Sequence, residues 1–286
     1  MIRSFLFVPA DSERKLARSL DSQADALILD LEDSVMPENK PAARKLMQRH
    51  LEGLDDHSRW WVRVNSLSSG ELLYDLVATV PARPAGILLP KIEGPEDIAI
   101  VSHYLDVLEV EHGIEPGATR IAVVVTETPA VVLRLGELVK RHYPRVRAVM
   151  WGAEDLSAAL QASDPRTPKG EWRPTYEFAR SQSLLLAHAW GVEAIDTLYV
   201  DFRDTEGLQR HCIASRHDGF TGRIAIHPDQ VETINRAYTP SDSEIALARR
   251  IVEAFNNGQG VVAIDGKMYD IPHLKAASQL LASYPT

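Results

Sequence analysis

Eight short apolar runs, each followed by a polar loop and a stretch with helical spacing, constrain this chain more than any other feature. The runs span residues 4–8, 26–31, 60–64, 86–89, 120–126, 148–152, 194–200 and 223–226. They are dense in Val, Ile, Leu and aromatic side chains, with little polar alternation. Strands buried on both faces read this way, as in a parallel sheet covered by helices. The helical stretches fall at residues 12–20, 40–50, 70–79, 95–111, 130–142, 156–162, 176–189, 206–216 and 230–237. Asp11 or Ser12, and Pro41, sit where helices start, and Gly113 and Gly191 where they stop. Eight such units predict an α/β chain folded as a (β/α)₈ TIM-type barrel over residues 1–238, in preference to an open doubly wound sheet. Residues 239–286 are surplus to that barrel. They predict a C-terminal extension: a helix ending at Phe255, a short strand at 261–264, and a last helix from about residue 273 to 282. The extension either caps its own barrel or reaches another subunit.

Charge narrows the function. The chain carries 31 Lys and Arg against 40 Asp and Glu, a formal charge of −9. An acidic surface argues against nucleic acid or an anionic membrane as general partner, while leaving room for a local basic pocket. One cysteine, Cys212, forms no internal disulfide and no Cys-rich metal site. No apolar stretch approaches the roughly 20 residues of a spanning helix. The apolar run at residues 5–8 is also shorter than the roughly 7–15 residues of a signal-peptide core. The expected setting is the cytoplasm.

In a parallel barrel, ligands sit where the strand C-termini and the following loops converge. The polar residues closing the runs therefore matter most. They are Asp11 after the first, Asp30, Glu32 and Asp33 after the second, Arg63 and Asn65 after the third, and Lys91 after the fourth. Glu127 and Thr128 follow the fifth, Glu154 and Asp155 the sixth, Asp201 the seventh and His227 the eighth. So many carboxylates on one rim are costly to desolvate. Arg63 and Lys91 offset part of that charge, and a divalent cation is the natural remainder. With oxygen donors and no thiolate, the ion would be hard: Mg²⁺, or Mn²⁺. Arg63 carries a rigid, always-charged donor fork suited to a developing enolate oxygen. Arg14 and Arg18 lie four apart, on one face of the first helix, as a basic patch beside the barrel mouth. Each feature has a plainer reading. The Asp30–Asp33 cluster also fits a solvated loop or helix cap, Arg14 and Arg18 surface charges, and His227 a structural histidine. Trp60 and Trp61 read as packing residues.

Several motifs in fixed order carry a resemblance. These are Arg3-Ser-Phe-Leu-Phe-Val-Pro9, Asp30-Leu-Glu-Asp-Ser-Val35 with Lys40 and Ala43-Arg44, Arg63-Val-Asn65, Pro90-Lys91, Glu127-Thr128 and Gly152-Ala-Glu-Asp-Leu156. Gly219-Phe-Thr-Gly222 with Ile226-His-Pro-Asp-Gln230, and Asp265-Gly-Lys-Met-Tyr-Asp270, follow. Over almost its whole length the chain resembles the citrate lyase β-subunit-like branch of the HpcH/HpaI aldolase superfamily, which includes malyl-CoA, methylmalyl-CoA and citramalyl-CoA lyases. The resemblance implies a trimeric or hexameric (β/α)₈ enzyme that cleaves 3-hydroxyacyl-CoA thioesters with Mg²⁺. It implies Glu127 and Asp155 as metal ligands, with substrate held beside Glu127, and Arg63 at the thioester oxygen. Phe7, Arg14 and Arg18 fall in the CoA site. Asp30, Glu32, Asp33, Lys91, Glu154 and His227 are expected to support the site from behind. Asp270 matches an acid/base that some members contribute to a neighbouring subunit. Trp151, where Phe is commoner, and Tyr269, where Ile or Leu is commoner, depart from the pattern, so acyl specificity does not carry over. Three other readings compete: a citrate lyase β subunit working on an acyl-carrier thioester, a malyl-CoA thioesterase, and a non-catalytic CoA-ester binder.

Overall fold

Eight parallel strands close into a barrel in chain order. They are β1 (Ser4–Pro9), β2 (Ala26–Asp30), β3 (Trp60–Arg63), β4 (Gly86–Leu89), β5 (Arg120–Val124), β6 (Val146–Met150), β7 (Glu193–Asp196) and β8 (Gly222–Ala225), and β8 pairs with β1. The helices around them are α1 (Glu13–Ser19), α2 (Lys40–Glu52), α3 (Leu72–Thr79), α4 (Pro95–Glu111), α5 (Pro129–Leu138), α6 (Ala153–Ala159), α7 (Pro174–Trp190), α8 (Thr205–Asp218) and α9 (Val231–Tyr238). This computed structural model describes residues 1–168, 170–256, 258 and 260–284. Among the described residues no helix is long and apolar enough to cross a membrane.

Both faces of the strands are dry, which is why the apolar runs lack alternation. Phe5, Ile28, Trp61, Leu88, Val124, Met150 and Ile195 pack together in one layer. Their neighbours Leu27, Val62, Ile87, Val123 and Val149 pack with Met47, Leu76, Val101 and Leu135 of the helices. Each such side chain contributes roughly 1.5–3 kcal/mol when fully buried.

The strand ends differ from expectation by two residues or more in three places, all bearing on the site. The fifth strand stops at Val124, so Val125 to Glu127 form a loop and Thr128 caps α5, accepting from the Val131 N–H at 3.3 Å. The sixth runs Val146–Met150, and Gly152 caps α6, so Glu154 and Asp155 occupy that helix's first turn. A helix N-terminus favours negative charge there. The seventh ends at Asp196, where pairing with β8 ends at Arg223, so Asp201 lies beyond the strand on an exposed turn. Asp196 is one of the buried charges that the sequence did not point to. It accepts from Arg223 Nη2 at 2.6 Å, Arg180 Nη2 at 3.2 Å and Trp151 Nε1 at 2.6 Å.

A second buried network fixes the loop after β2. Lys40 Nζ donates to the carbonyls of Leu31 and Glu32 and to Asn65 Oδ1, at 2.8, 2.9 and 2.7 Å. Asn65 in turn donates from its backbone N and from Nδ2 to Asp75 Oδ2, and Arg44 Nε donates to Asp75 Oδ1, all at 2.7 Å.

Residues from Thr239 onward, with Met1, form a separate compact unit. It comprises α10 (Asp242–Phe255), an antiparallel hairpin of β9 (Val261–Ile264) and β10 (Lys267–Asp270), and α11 (Ile271–Ser283), around Ala248, Ile251, Phe255, Ile264 and Ala277. The second strand was not expected, although Asp265-Gly266 spelled it out. Both residues have positive φ, 51° and 76°, as a tight two-residue hairpin turn requires, and Gly266 takes it without strain. The last two expected residues of the extension, Pro285 and Thr286, lie outside the described set.

Breaking a buried ion pair from one side costs about 3–5 kcal/mol. Asp75→Ala should therefore lower unfolding stability by that amount in urea titration, whereas the exposed Asp242→Ala should cost under about 1 kcal/mol.

Candidate active site

Register brings the first two charged groups together. Asp30 ends β2 directly opposite Arg63 at the end of β3. Arg63 Nε and Nη2 donate to the two Asp30 oxygens, both at 2.7 Å, a bidentate fork. Nη1 lies 3.0 Å from Glu32 Oε2, and the guanidinium stands 4.7 Å over the Phe7 ring. The Asp30 fork uses two of the five guanidinium N–H groups and the Glu32 contact is an ion pair without a hydrogen bond, so one N–H remains on Nη2 and two on Nη1. Burial opposes the charge on Arg63, yet Asp30, Glu32 and Glu127 hold its proton more tightly than usual. Asp30 is buried too, but the Arg63 charge and hydrogen bonds from Arg63 and Ser34 keep its carboxyl below the ordinary range.

Lys91 ties three more acids together. Its Nζ lies 2.6 Å from Glu32 Oε1, 2.8 Å from Asp33 Oδ2 and 3.3 Å from Asp155 Oδ1. Its backbone N–H donates to Glu127 Oε2 at 2.5 Å. Lys91 has φ of 50°, uncommon for a side-chain-bearing residue, and this conformation accompanies the backbone bond to Glu127. Gly152 presses on Glu127 from the other side: a Cβ there would come 2.9 Å from Glu127 Cγ, so a side chain would push the carboxylate away.

One cavity of about 260 Å³ gathers the site, with Phe7, Arg63, Glu127, Glu154, Asp155 and Ile226 among its lining residues. Glu127 is buried, and its carboxyl is pushed well above the ordinary range, first by burial and then by the Asp155 charge. Glu32 is also raised by burial, against the pull of Arg63 and Lys91. Six carboxylates, from Asp30, Glu32, Asp33, Glu127, Glu154 and Asp155, thus face two cations. The imbalance falls on Glu127 and Asp155, an all-oxygen donor pair that suits a hard dication. Among the described residues no three acidic, histidine or cysteine side chains converge into a metal cage. An ion here would take two protein oxygens and fill its sphere with substrate and water, as Mg²⁺ commonly does.

The remaining expected residues lie elsewhere. Arg14 and Arg18 are exposed on α1 and do not line the cavity. His227 does not line it either. Its Nδ1 accepts from the Asp229 N–H at 3.3 Å, and its ring stacks on Phe202 at 4.4 Å. Asp270 belongs to the C-terminal unit. The cavity lining also includes Thr197 and Leu198, absent from the sequence reading because residues 194–200 read as one strand.

An acid-rich pocket at the strand C-termini of a closed parallel barrel defines a TIM-barrel enzyme, and the sequence comparisons name its class. Residues 174–283 match the profile described as C-C bond lyase of the TIM-barrel fold, and residues 3–228 match HpcH/HpaI aldolase/citrate lyase. The chain belongs to the HpcH/HpaI aldolase/citrate lyase family and is by that membership a carbon–carbon lyase. It is 32% identical to the mitochondrial citramalyl-CoA lyase of Rattus norvegicus, over 98% of this chain and 85% of that protein. It is 34% identical to a (3S)-malyl-CoA thioesterase of Cereibacter sphaeroides, over 98% and 93%. Among solved structures, CitE of Mycobacterium tuberculosis in complex with magnesium, acetoacetate and coenzyme A matches with a TM-score of 0.81 and 32% identity, over 98% and 97% of the two chains.

A carboxyl whose folded pKa is raised costs stability as pH climbs from the unfolded value, near 4.5, through the folded one. In chelator-treated protein, Glu127→Gln should therefore raise the melting temperature at pH 7.5 by about 2–4 °C, the shift given by one kcal/mol in a chain of this size. The gain should vanish near pH 4, as followed by calorimetry.

Proposed function

We propose that this chain is a Mg²⁺-dependent lyase that splits a 3-hydroxyacyl-CoA thioester, of malyl-, methylmalyl- or citramalyl-CoA type, into an acyl-CoA and a 2-oxo acid. One observation carries the reading: Glu127 and Asp155 line one cavity with the anchored Arg63, the Asp155 charge helps push the Glu127 carboxyl up, and neither has a guanidinium partner among the described residues. The M. tuberculosis relative crystallised with magnesium and coenzyme A supports it. Glu127 and Asp155 would hold the cation, with Mn²⁺ as the substitute. When bound, that cation makes the substrate hydroxyl more acidic and fixes it beside the carboxylate.

The chain's own residues supply the rest. Arg63 presents its remaining N–H groups to the thioester oxygen, where negative charge gathers as the carbon–carbon bond opens. Because Asp30 and Glu32 hold the guanidinium rigidly, it needs little reorganisation to do so. Phe7 stacks beneath it and keeps water from that face. Glu32, Asp33 and Lys91 form the supporting ion cluster, and Glu154 lines the cavity beside Asp155. Arg14 and Arg18 meet the CoA phosphates, which suits two exposed cations four residues apart. Asp270, reaching a neighbouring subunit's cavity from the extension, protonates the enolate carbon. The enzyme is then a homo-oligomer, trimeric or hexameric, because each site is completed by another copy. We place it in the cytoplasm, on its single cysteine and acidic composition. Hydrolysis of the same thioester is the second reading, favoured by the similarity to the Cereibacter thioesterase.

A coupled assay against malyl-, methylmalyl- and citramalyl-CoA separates the two. Glyoxylate or pyruvate with an acyl-CoA marks cleavage, and free CoA with intact hydroxy acid marks hydrolysis. Chelator should abolish turnover and Mg²⁺ should restore it. Glu127→Gln and Asp155→Asn should each lose at least about 100-fold in kcat and lose the Mg²⁺-dependent rise in melting temperature. Arg63→Gln should lose about 10²–10³-fold with the Mg²⁺ shift retained.

A further inference from the structure

The hairpin and last helix of the C-terminal unit place one imidazole against Asp270. Asp270 ends β10 and caps α11, and the third residue into that helix is His273. His273 Nδ1 lies 2.5 Å from Asp270 Oδ1, and the Tyr269 ring meets the imidazole edge-on at 5.3 Å. Nε2 of His273 has no hydrogen-bond partner among the described residues, and both side chains are about half exposed, 53% for His273 and 52% for Asp270. The other charges of the unit are occupied or sit elsewhere on the elements packed here. Arg250 of α10 is bonded to Asp265 in the hairpin turn at 2.8 Å, Lys267 opens β10, and Lys275 lies further along α11.

We propose that Asp270 and His273 work as one proton-holding pair, with His273 positioning the Asp270 carboxyl and reloading it from solvent. This rests on Asp270 being the acid of the reaction proposed above. The hydrogen bond from His273 holds the Asp270 carboxyl below its ordinary range. A lone carboxyl so lowered is ionised at neutral pH and has no proton to give. With His273 Nδ1 2.5 Å from its oxygen, a proton held between the two groups is within reach of the carboxylate. In the cleavage direction the O–H bond of Asp270 breaks as the C–H bond of the new acyl-CoA forms. This leaves carboxylate and neutral imidazole, and one proton from water returns through the open Nε2. In the condensation direction the same pair accepts the proton from the acyl carbon.

A plainer role exists, since a residue at this position also serves as a helix cap. Glutamine serves there equally well but carries no titratable proton. His273→Gln is therefore the discriminating variant. We expect it to melt with the wild type and keep KM within about twofold. Its kcat at neutral pH should fall about 10–100-fold, and the alkaline limb of its pH profile should move to lower pH. In His273→Ala, added imidazole should restore part of the rate, and in Asp270→Asn it should not. A His273→Gln enzyme with wild-type kcat and pH profile, beside an inactive Asp270→Asn, would overturn the pair and leave Asp270 as the acid. An Asp270→Asn enzyme with wild-type rate would overturn both.

Discussion

The fork between Arg63 and Asp30 is the interaction on which the mouth of this barrel depends. It exists because neighbouring parallel strands end in register, which sets a carboxylate and a guanidinium side by side at the rim. Alone, either would be expensive to bury. Together they form a nearly neutral, rigid wall, and Glu32 closes it at 3.0 Å. Everything else follows from where the remaining charge is left. Lys91 offsets Glu32, Asp33 and part of Asp155. Glu127, also buried, receives only a backbone N–H among the described residues. The site is thus neutral along one wall and over-negative along the other, which suits a pocket that takes up a cation and a polarised carbonyl together.

That wall is held from behind by groups far from any substrate. Lys40 spends its ammonium on two carbonyls of the loop that carries Glu32, and Asn65, Asp75 and Arg44 complete the chain of bonds to α3. These buried polar bonds fix a loop that would otherwise be free to open. The rim is precise because its supports lie in the helical layer, where packing is dense.

How much of this was legible in the sequence depends on the kind of information each element carries. The barrel was readable because two-sided burial makes every strand an unbroken apolar run. So were the acids and cations at the strand ends, since little else in those loops is charged. Strand ends were harder. Residues 194–200 look uniformly apolar around Asp196, but the chain leaves the barrel at that residue because Arg223 and Arg180 capture its carboxylate. The partners of Asp30, Lys40 and Asp75 were invisible for a different reason: they are contacts across strands and helices, set by register and helix placement, which no local pattern encodes. The hairpin before Asp270 was legible and was passed over, its Asp-Gly turn being among the stronger short signals a chain can carry.

Lys91 carries a lesson for how such a site is dissected. Its ammonium and its backbone amide serve different acids, and the residue itself sits in the left-handed region. Removing the side chain erases the first duty and leaves the second in place. A glycine at this position would relax that conformation as well, so the two replacements test different halves of one residue. Alanine scanning sees half of it, and the half it misses belongs to the main chain.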